Sequence, residues 1–253
     1  MPPTAGVKIL KQSKFNQRWR RRFTERGAYF DDDAGIAGWT RTGLASRVRQ
    51  FQSLWQKHEP ASGLWLDIGC GAGTYTRLLH AQGLEVWGID YSAPSLQKAR
   101  ARSDLAIPWL AADIHHLPLP DATVDGILCF GVMQALSGPE DALAELHRVL
   151  KPGRELWVDA LNVRCLPTAI REHRRRRAGA PRHLRYDLPQ EFIRSGEAIG
   201  FERIELHWLP LLPGRLAAVQ GLVESPPVKG LLQRLPPLGE RLSHSFILRA
   251  RRA

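Results

Sequence analysis

Short apolar runs alternate regularly with helical patterns from Leu64 onward, and this alternation constrains the fold more than any other feature of the sequence. Runs of this length are typical of buried strands, and the helical stretches between them can return the chain to the same edge of a sheet. The sequence therefore predicts an α/β fold, with a doubly wound, mostly parallel, seven-stranded sheet. Strands are expected at residues 64–68, 85–89, 107–112, 124–130, 155–160, 201–208 and 244–251.

The helices predicted beside these strands have clear start and stop signals. Ser92 can cap one of them, with Pro94 in its first turn, and Pro152 with Gly153 stops another. Residues 209–242 are rich in leucine, proline and glycine and show only broken helical patches. Helices are expected at residues 92–102, 139–150 and 188–199, after the glycines near residue 73, and within residues 8–57 on either side of a loop at 29–38.

One stretch, Leu64 to Thr74, joins a strand to a helix through alternating glycines, in the order LWLDIGCGAGT. Gly69, Gly71 and Gly73 let the backbone turn tightly and approach a ligand, while the helix start directs free amide groups into the same space. A dinucleotide-binding loop has the spacing G-x-G-x-x-G, whereas this loop has G-x-G-x-G with Asp67 before it. A carboxylate there repels a pyrophosphate and attracts a ligand that carries an ammonium group.

With these residues the chain resembles the class I S-adenosylmethionine-dependent methyltransferases, which have a Rossmann-like fold. It is most similar to the small-molecule branch that includes ubiquinone and menaquinone biosynthesis enzymes, and the resemblance covers residues 64–160. It implies that S-adenosylmethionine binds at the strand ends and leaves as S-adenosylhomocysteine. The residues that it assigns to this cofactor are Asp67, Gly69, Cys70, Gly71, Gly73, Asp90, Tyr91, Asp113, Ile114 and Phe130.

The implied contacts are distributed along the length of the cofactor. Asp67 matches the family's acidic residue near the methionine amino group, and the glycines match the loop under the methionine and ribose. Asp90, at the end of the second strand, can accept hydrogen bonds from both ribose hydroxyls, and the face of the Tyr91 ring can pack against the adenine. Asp113 and Ile114 resemble the element that binds the adenine amino group and packs on the base.

Three residues are candidates for a part in catalysis. Gln134 stands where many relatives have a histidine, and a neutral amide can orient a substrate but cannot deprotonate it. His116 is a candidate general base, with exposure to solvent as its alternative. Tyr29 lies where relatives fold an amino-terminal helix pair over the cofactor, and it is a candidate to close the methyl-donor pocket, with core packing as its alternative.

The resemblance implies an amino-terminal helical cap at residues 1–60 and a methyltransferase domain at 61–253, with lid insertions at about 161–186 and 209–242. It implies methyl transfer to a small or lipid-like metabolite, with oxygen as the first choice of acceptor atom. An RNA methyltransferase and a cofactor-binding protein without transfer activity are the alternatives.

The positive charge is concentrated in two short segments. The chain has 36 lysines and arginines, 25 acids and a net charge of +11. Residues 1–30 carry +7 and residues 171–185 carry +6, whereas residues 31–170 carry −4. Basic segments suit nucleic acid, anionic lipid, an anionic substrate or solvent. Because few aromatic residues accompany the arginines, nucleic acid is the weaker interpretation, and a lipid-like substrate or peripheral membrane contact is the stronger one.

Cysteine spacing and the amino-terminal residues indicate a cytoplasmic protein. Cys70, Cys129 and Cys165 are too far apart for a zinc motif or a disulfide framework, and no metal is expected. Asp31 to Asp33 have no partner cluster, so capping or solvation is expected for them. Met1 to Phe15 have no signal-like apolar segment, and no apolar run reaches the roughly 18–20 residues of a membrane span.

Overall fold

The computed structural model describes residues 13–58, 60–103, 106–180, 184–212 and 214–253, and in this part of the chain seven strands form one sheet. The strands are β1 (Leu64–Ile68), β2 (Glu85–Asp90), β3 (Trp109–Ala111), β4 (Val124–Cys129), β5 (Leu150–Leu161), β6 (Phe201–Leu209) and β7 (Ser245–Arg252). The helices are α1 (Lys14–Tyr29), α2 (Asp33–Ala37), α3 (Arg41–Trp55), α4 (Thr74–His80), α5 (Ala93–Ala101), α6 (Glu140–Val149), α7 (Leu166–Arg177), α8 (Pro189–Ile199), α9 (Gln220–Val223), α10 (Pro226–Arg234) and α11 (Pro236–Leu242).

The strand order is β3-β2-β1-β4-β5-β7-β6. All neighbouring pairs from β3 to β5 are parallel, and β7 is antiparallel to both β5 and β6. The predicted doubly wound, mostly parallel, seven-stranded sheet is therefore confirmed. The order reverses between β1 and β4, and in such sheets ligands bind in the crevice outside the carboxyl ends at this point.

The two faces of the sheet are buried in two separate clusters, because successive strand side chains point in opposite directions. Leu66 and Ile68 of β1 belong to the larger cluster, together with residues of α6 and α8. Trp65 of the same strand packs on the other face with Trp55 and Trp157. The ring centroids of Trp55 lie 4.9 Å from Trp65 and 5.6 Å from Trp157, so these tryptophans build the core.

Several element boundaries differ from the sequence predictions. The predicted loop at residues 29–38 contains α2, because the Asp32 side chain accepts a hydrogen bond from the Gly35 amide at 2.8 Å and caps a short helix. β3 is three residues shorter than predicted, and β5 begins at Leu150 rather than at residue 155. Residues 8–12 of the predicted first helix lie outside the described residues.

The regions predicted as lid insertions are helical where the structure describes them. Residues 161–186 contain α7, and residues 209–242 contain a 3-10 turn (Gly214–Val219) followed by α9, α10 and α11. In the described part of the chain, none of the helices combines the length and the apolar character that crossing a bilayer requires.

Candidate active site

A cavity of about 1200 Å³, open mouth included, lies at the carboxyl edge of the sheet. It is lined by the ends of β1, β2, β4 and β5 and the loop after β3, together with residues of α1, α2 and α3. The aromatic side chains in its wall are Trp19, Phe23, Trp39, Tyr75, Tyr91 and Phe130.

The loop after β1 presents its backbone to the cavity. Gly69 has φ 72° and Gly71 has φ 54°, a region that other residues rarely adopt, and both line the cavity with Cys70 between them. A Cβ at Gly69 would collide with the Val132 side chain, whereas one at Gly71 would meet only Ile36, at 3.8 Å. The backbone at Gly71 is therefore open to a ligand.

Gly73 is the exception among the predicted loop residues, because it does not line the cavity. It has φ 82° and precedes the first residue of α4, and a Cβ at this position would collide with the Trp109 ring. The predicted ligand contact at Gly73 therefore stays a prediction, and in this structure the residue lies behind the cavity wall. This glycine instead lets α4 pack closely against β3.

Asp67 is buried behind the loop and does not line the cavity either. Its Oδ2 accepts a hydrogen bond from the Thr76 hydroxyl at 2.6 Å, which ties the end of β1 to α4. Burial is the main cause that raises the pKa of Asp67, to about 6, and the hydrogen bonds from Thr76 oppose it. In the structure this carboxyl therefore positions the glycine loop and does not contact the cavity.

The Asp67→Asn variant is expected to change the pH dependence of stability. The pKa of Asp67 is about 6 in the folded chain, against about 3.9 unfolded, so folding favours the protonated form. Protonated Asp67 therefore contributes its full stabilisation of the fold below pH 4, and this stabilisation is lost as the pH rises through 6. Between pH 4 and 7 the wild-type free energy of unfolding should fall by about 2–3 kcal/mol more than that of the variant. Urea unfolding checks this, and identical profiles would contradict it.

Asp90 lies at the end of β2 and lines the cavity. Each of its two carboxylate oxygens accepts one hydrogen bond from a backbone amide. Its Oδ1 accepts from the Ser92 amide at 2.8 Å and its Oδ2 from the Gly71 amide at 2.9 Å. Burial raises the pKa of Asp90, and the backbone hydrogen bonds partly offset this. Each carboxylate oxygen has a second lone pair, so Asp90 can still accept hydrogen bonds from a ligand.

The end of the cavity near β3 combines an acidic and an apolar group. Asp113 accepts hydrogen bonds from Arg20 Nη1 at 2.7 Å and from His115 Nδ1 at 2.9 Å. Burial alone would raise the pKa of Asp113, but these hydrogen bonds and charges lower it, so the group is a carboxylate. Ile114 is buried beside it, and the Tyr91 ring lies 5.1 Å from the Arg20 guanidinium. A flat ligand with an amino group fits this end of the cavity.

None of the three catalytic candidates lines the cavity, and two of them, His116 and Tyr29, are exposed. His116 is exposed, and its neighbour His115 lines the cavity instead, because the carboxylate of Asp113 holds the His115 ring inward. Tyr29 ends α1 with 80% of its side chain exposed. In this structure Tyr29 and His116 lie outside the cavity and the loop histidine in its wall is His115, so a part in catalysis for Tyr29 or His116 stays a prediction.

Gln134 is buried but is not among the residues that line the cavity. Its Nε2 donates to the Gly131 carbonyl at 2.7 Å, and its backbone carbonyl accepts from the Arg185 amide at 2.9 Å. Gly131 itself lines the cavity. Gln134 therefore holds the loop after β4 in place, rather than orienting a substrate directly as its sequence position suggests.

A buried ion pair occupies the β5 end of the cavity. Arg47 is 4% exposed and Asp159 is 1% exposed, and Arg47 Nη1 lies 2.6 Å from Asp159 Oδ2. Arg47 Nη2 donates to the Ser245 hydroxyl at 3.1 Å, and its guanidinium lies 3.9 Å from the Trp39 ring centroid. The Gly131 amide donates to the second oxygen of Asp159 at 2.7 Å. The pair thus joins α3, β5, β7 and the loop after β4 at the cavity wall.

The ion pair is absent from the motif-based prediction, although the sequence contains a signal for it. Asp159 interrupts the otherwise apolar end of β5, and Arg47 lies on the face of α3 that also carries the buried Gln50 and Phe51. A charge on a buried face needs a partner, so two such residues in separate elements indicate a pair. Sequence reasoning that starts from glycine motifs does not find it.

The segment between α1 and α3 is fastened over the cavity by Asp33. Its Oδ2 accepts from the Thr74 hydroxyl at 2.5 Å and from Arg77 Nη2 at 2.6 Å, and its Oδ1 accepts from Arg102 Nη1 at 2.8 Å. Asp33 also lines the cavity. Part of the predicted acidic run is therefore an anchor to α4 and to the end of α5, rather than solvated surface.

Another cluster, His58, Glu205 and His207, has ligand atoms within 4.8 Å of one another at the β6 side of the sheet. Arg249 Nη1 lies 3.0 Å from His58 Nδ1 and 3.5 Å from Glu205. The guanidinium thus already supplies the positive charge that balances Glu205. None of the three residues lines the cavity described above.

Comparison with known proteins identifies the family. Residues 66–158 match a family described as a methyltransferase domain. Malonyl-[acyl-carrier protein] O-methyltransferase of Serratia marcescens is 42% identical over 90 residues, which make up 35% of this chain and 34% of that protein. Residues 66–158 therefore form a methyltransferase domain of the S-adenosylmethionine-dependent type. The match covers about a third of the relative's length.

Solved structures share the fold of this methyltransferase. Phosphoethanolamine N-methyltransferase 2 of Haemonchus contortus, in complex with S-adenosyl-L-methionine, has a TM-score of 0.61 and 18% identity, and the alignment covers 92% of this chain and 60% of that one. The [4+2]-cyclase SpnF has a TM-score of 0.61 and 19% identity, with 95% and 97% covered. At such identities the likeness establishes the fold, and the same fold serves proteins with different activities. The predicted family, fold and cofactor are confirmed.

Proposed function

We propose that this methyltransferase moves the methyl group of S-adenosylmethionine to an oxygen atom of a small or lipid-like metabolite. The observation that carries the proposal is the cavity at the sheet's switch point, where the open backbone at Gly71, the carboxylate of Asp90 and the Asp113–Ile114 pair meet. These groups suit the amino acid, ribose and adenine parts of one ligand. The name of the Serratia marcescens relative supports oxygen as the acceptor atom.

The charges of the cavity fit a cationic cofactor. The charged side chains of its described lining are four aspartates and two arginines, apart from His115, so the wall is net negative. When bound, S-adenosylmethionine supplies an electrophilic methyl group on a positively charged sulfur. We propose that Gly69, Cys70, Gly71 and Phe130 contact its methionine half, and that Asp90, Tyr91, Asp113 and Ile114 contact its adenosine half. Asp67 and Gly73 then shape the loop from behind.

The proposed catalysis relies on alignment and on the exclusion of water. Trp19, Phe23, Trp39 and Tyr75 form apolar walls around the space that the cofactor leaves free. Such walls hold an acceptor close to the methyl group and keep water away, which can supply much of the rate enhancement. Burial raises the pKa of Tyr75, so its hydroxyl is neutral and can donate a hydrogen bond to an acceptor oxygen.

We also propose that α1, α2 and α3 act as a cap over this site. The chain would then be divided into a cap at residues 1–60 and a cofactor domain at residues 61–253. The lid insertions at 161–186 and 209–242 are then the variable cover of the acceptor. A cytoplasmic location, membrane contact and nucleic acid binding stay predictions from the sequence.

The Asp33→Ala variant is expected to release S-adenosylhomocysteine about tenfold faster than the wild type. It removes the acceptor that fastens the cap through Arg77 and Arg102, and each lost charged hydrogen bond is worth about 1.5–3 kcal/mol. Stopped-flow fluorescence measures the rate. Asp31→Ala is the matched control, because Asp31 is 92% exposed and its contact with Lys98 contributes little. Equal rates for the two variants would contradict the role of Asp33.

Incubation with a donor labelled in its methyl group tests the proposed function. A lysate is separated into metabolite, lipid and RNA fractions, and label is expected in an oxygen methyl ester or ether of the metabolite or lipid fraction. Label in RNA alone would favour the rival RNA methyltransferase. If S-adenosylhomocysteine binds but no fraction is labelled, the chain is a cofactor-binding protein without transfer activity. The Asp90→Ala variant is the control for labelling by contaminants.

A further inference from the structure

The exposed apolar side chains of the protein are concentrated in the two regions predicted as lid insertions. Nine large hydrophobic residues are exposed in the described part of the chain, and eight of them lie in α7 or between residues 209 and 242. A clustered set of exposed apolar residues marks an interaction surface more often than scattered single ones do. The eight residues are Leu166, Ile170, Leu216, Val219, Leu222, Leu231, Leu235 and Leu242.

One face of α7 carries both apolar and basic residues. Leu166 is 49% exposed and Ile170 is 54% exposed. Residues three or four apart lie on the same face of a helix, so Leu166, Ile170, Arg174 and Arg177 form one outward stripe. The opposite face is anchored by the buried Thr168, whose hydroxyl lies 3.1 Å from His244 Nδ1. The exposed stripe of α7 is therefore apolar in the first half of the helix and basic in the second half.

Three of the arginines at the end of α7 have no acidic partner within the described residues. Arg174, Arg176 and Arg177 are exposed, and no Asp or Glu described in the structure lies within 4.0 Å of them. Arg171, one turn earlier, donates to the Tyr186 hydroxyl at 3.0 Å. Uncompensated cations beside exposed aliphatic side chains are the pattern of helices that lie in the interface of an anionic membrane.

The position of α7 connects this surface to the cavity. The helix follows β5 at the carboxyl edge of the sheet, where the cavity opens. His244, which contacts Thr168, is half-buried, and its pKa falls to about 3 because of desolvation and of the charges of Arg47 and Arg171. Arg47 belongs to the cavity wall. α7 is therefore linked through Thr168 and His244 to the side of the cavity that holds Arg47.

We propose that α7, through its exposed aliphatic residues and arginines, binds the surface of an anionic lipid bilayer. Leu166 and Ile170 are exposed beside arginines, and such a combination suits insertion between the headgroups of an anionic membrane. RNA is the less suitable occupant, because the exposed large hydrophobic residues of this surface are all aliphatic and offer no ring for base stacking. Membrane binding goes beyond methyl transfer and does not depend on it.

Sedimentation with vesicles tests this proposal on the full chain. The protein is expected to bind vesicles of phosphatidylcholine mixed with phosphatidylglycerol and not vesicles of phosphatidylcholine alone, and high salt should weaken the binding. The triple variant Arg174→Gln, Arg176→Gln, Arg177→Gln should bind these vesicles about 100-fold more weakly than the wild type. Each arginine is expected to contribute about tenfold or less to this loss of affinity. Ile170→Ser should lower binding about tenfold through the loss of apolar burial.

A matched charge control separates this surface from net charge. The variant Arg21→Gln, Arg41→Gln, Arg203→Gln removes the same charge from exposed positions outside α7 and should bind within about threefold of the wild type. Binding of S-adenosylhomocysteine by every variant shows that the fold is intact. The proposal is overturned if neither vesicle binds, if both bind equally, if the two triple variants behave alike, or if only RNA or an acidic protein is bound through α7.

Discussion

Asp90→Ala is expected to reduce the affinity for S-adenosylhomocysteine at least about 100-fold. Asp90 is the buried carboxylate of the cavity that has lone pairs free for both ribose hydroxyls, and hydrogen bonds to charged groups contribute about 1.5–3 kcal/mol each. The variant also leaves the Gly71 and Ser92 amides without their acceptor, so the glycine loop loses its fixed position. Calorimetric titration of the wild type and the variant measures the difference.

Two further variants separate ligand contact from loop order. Asp90→Asn keeps an acceptor oxygen for one of the two amides and is expected to bind with intermediate affinity. Asp113→Asn changes the adenine end without touching the glycine loop, and a loss of about tenfold is expected there. The assignment of the ribose to Asp90 would be wrong if Asp90→Ala bound S-adenosylhomocysteine within threefold of the wild type while remaining folded.

Arg47→Gln is expected to destabilise the protein by about 3–5 kcal/mol. The variant leaves Asp159 as a buried carboxylate with only the Gly131 amide as a partner, and removing one member of a buried ion pair has an effect of this size. Burial already raises the pKa of Asp159, and the Arg47 charge opposes that shift. Urea unfolding at pH 7 measures the loss of free energy.

A double-mutant cycle tests the pair itself. In the double variant Arg47→Gln, Asp159→Asn no buried charge is left unpaired, so it should be more stable than Arg47→Gln alone by about 1–3 kcal/mol. Additive losses in the two single variants would show that the charges do not interact. Asp125→Asn is a useful comparison, because Asp125 pairs with the partly exposed Lys151 and Arg154 and a smaller loss is expected.

The sheet could be predicted from the sequence because burial on both faces imposes a pattern that each strand shows by itself. β1, β2 and β4 are apolar runs bounded by turn residues, and their predicted positions agree with the structure to within a residue. The weaker predictions concern elements that depend on distant partners. α2 forms within a predicted loop because Asp32 caps it and Asp33 is anchored by two arginines from other helices.

Site residues could be predicted where the backbone requires a particular residue type. They were harder to predict where the direction of a side chain determines whether it faces the cavity. Gly69, Gly71 and Asp90 line the cavity as expected from strand ends. His115 and His116 differ by one position, and the contact with Asp113 determines which of them faces inward. The direction of such a side chain is set by tertiary contacts, which the local sequence does not contain.

Arg47 and Asp159 show the same limit for polar residues in the core. Each is an isolated charge in its own element, and they become a functional feature only when α3 packs against the end of β5. Their separation of 112 positions leaves no local pattern to recognise. The charge of +11 is a contrasting case, since its concentration in short basic segments is visible in the sequence and α7 presents one of them at the surface.

Calorimetric titration of the unmodified chain with S-adenosylhomocysteine tests the central claim most directly, because this product binds without a methyl acceptor. One saturable site per chain is predicted, and adenosine alone should bind more weakly because it lacks contacts with Gly69, Cys70 and Gly71. Absence of saturable binding would contradict the account, and so would equal affinity for adenosine and S-adenosylhomocysteine.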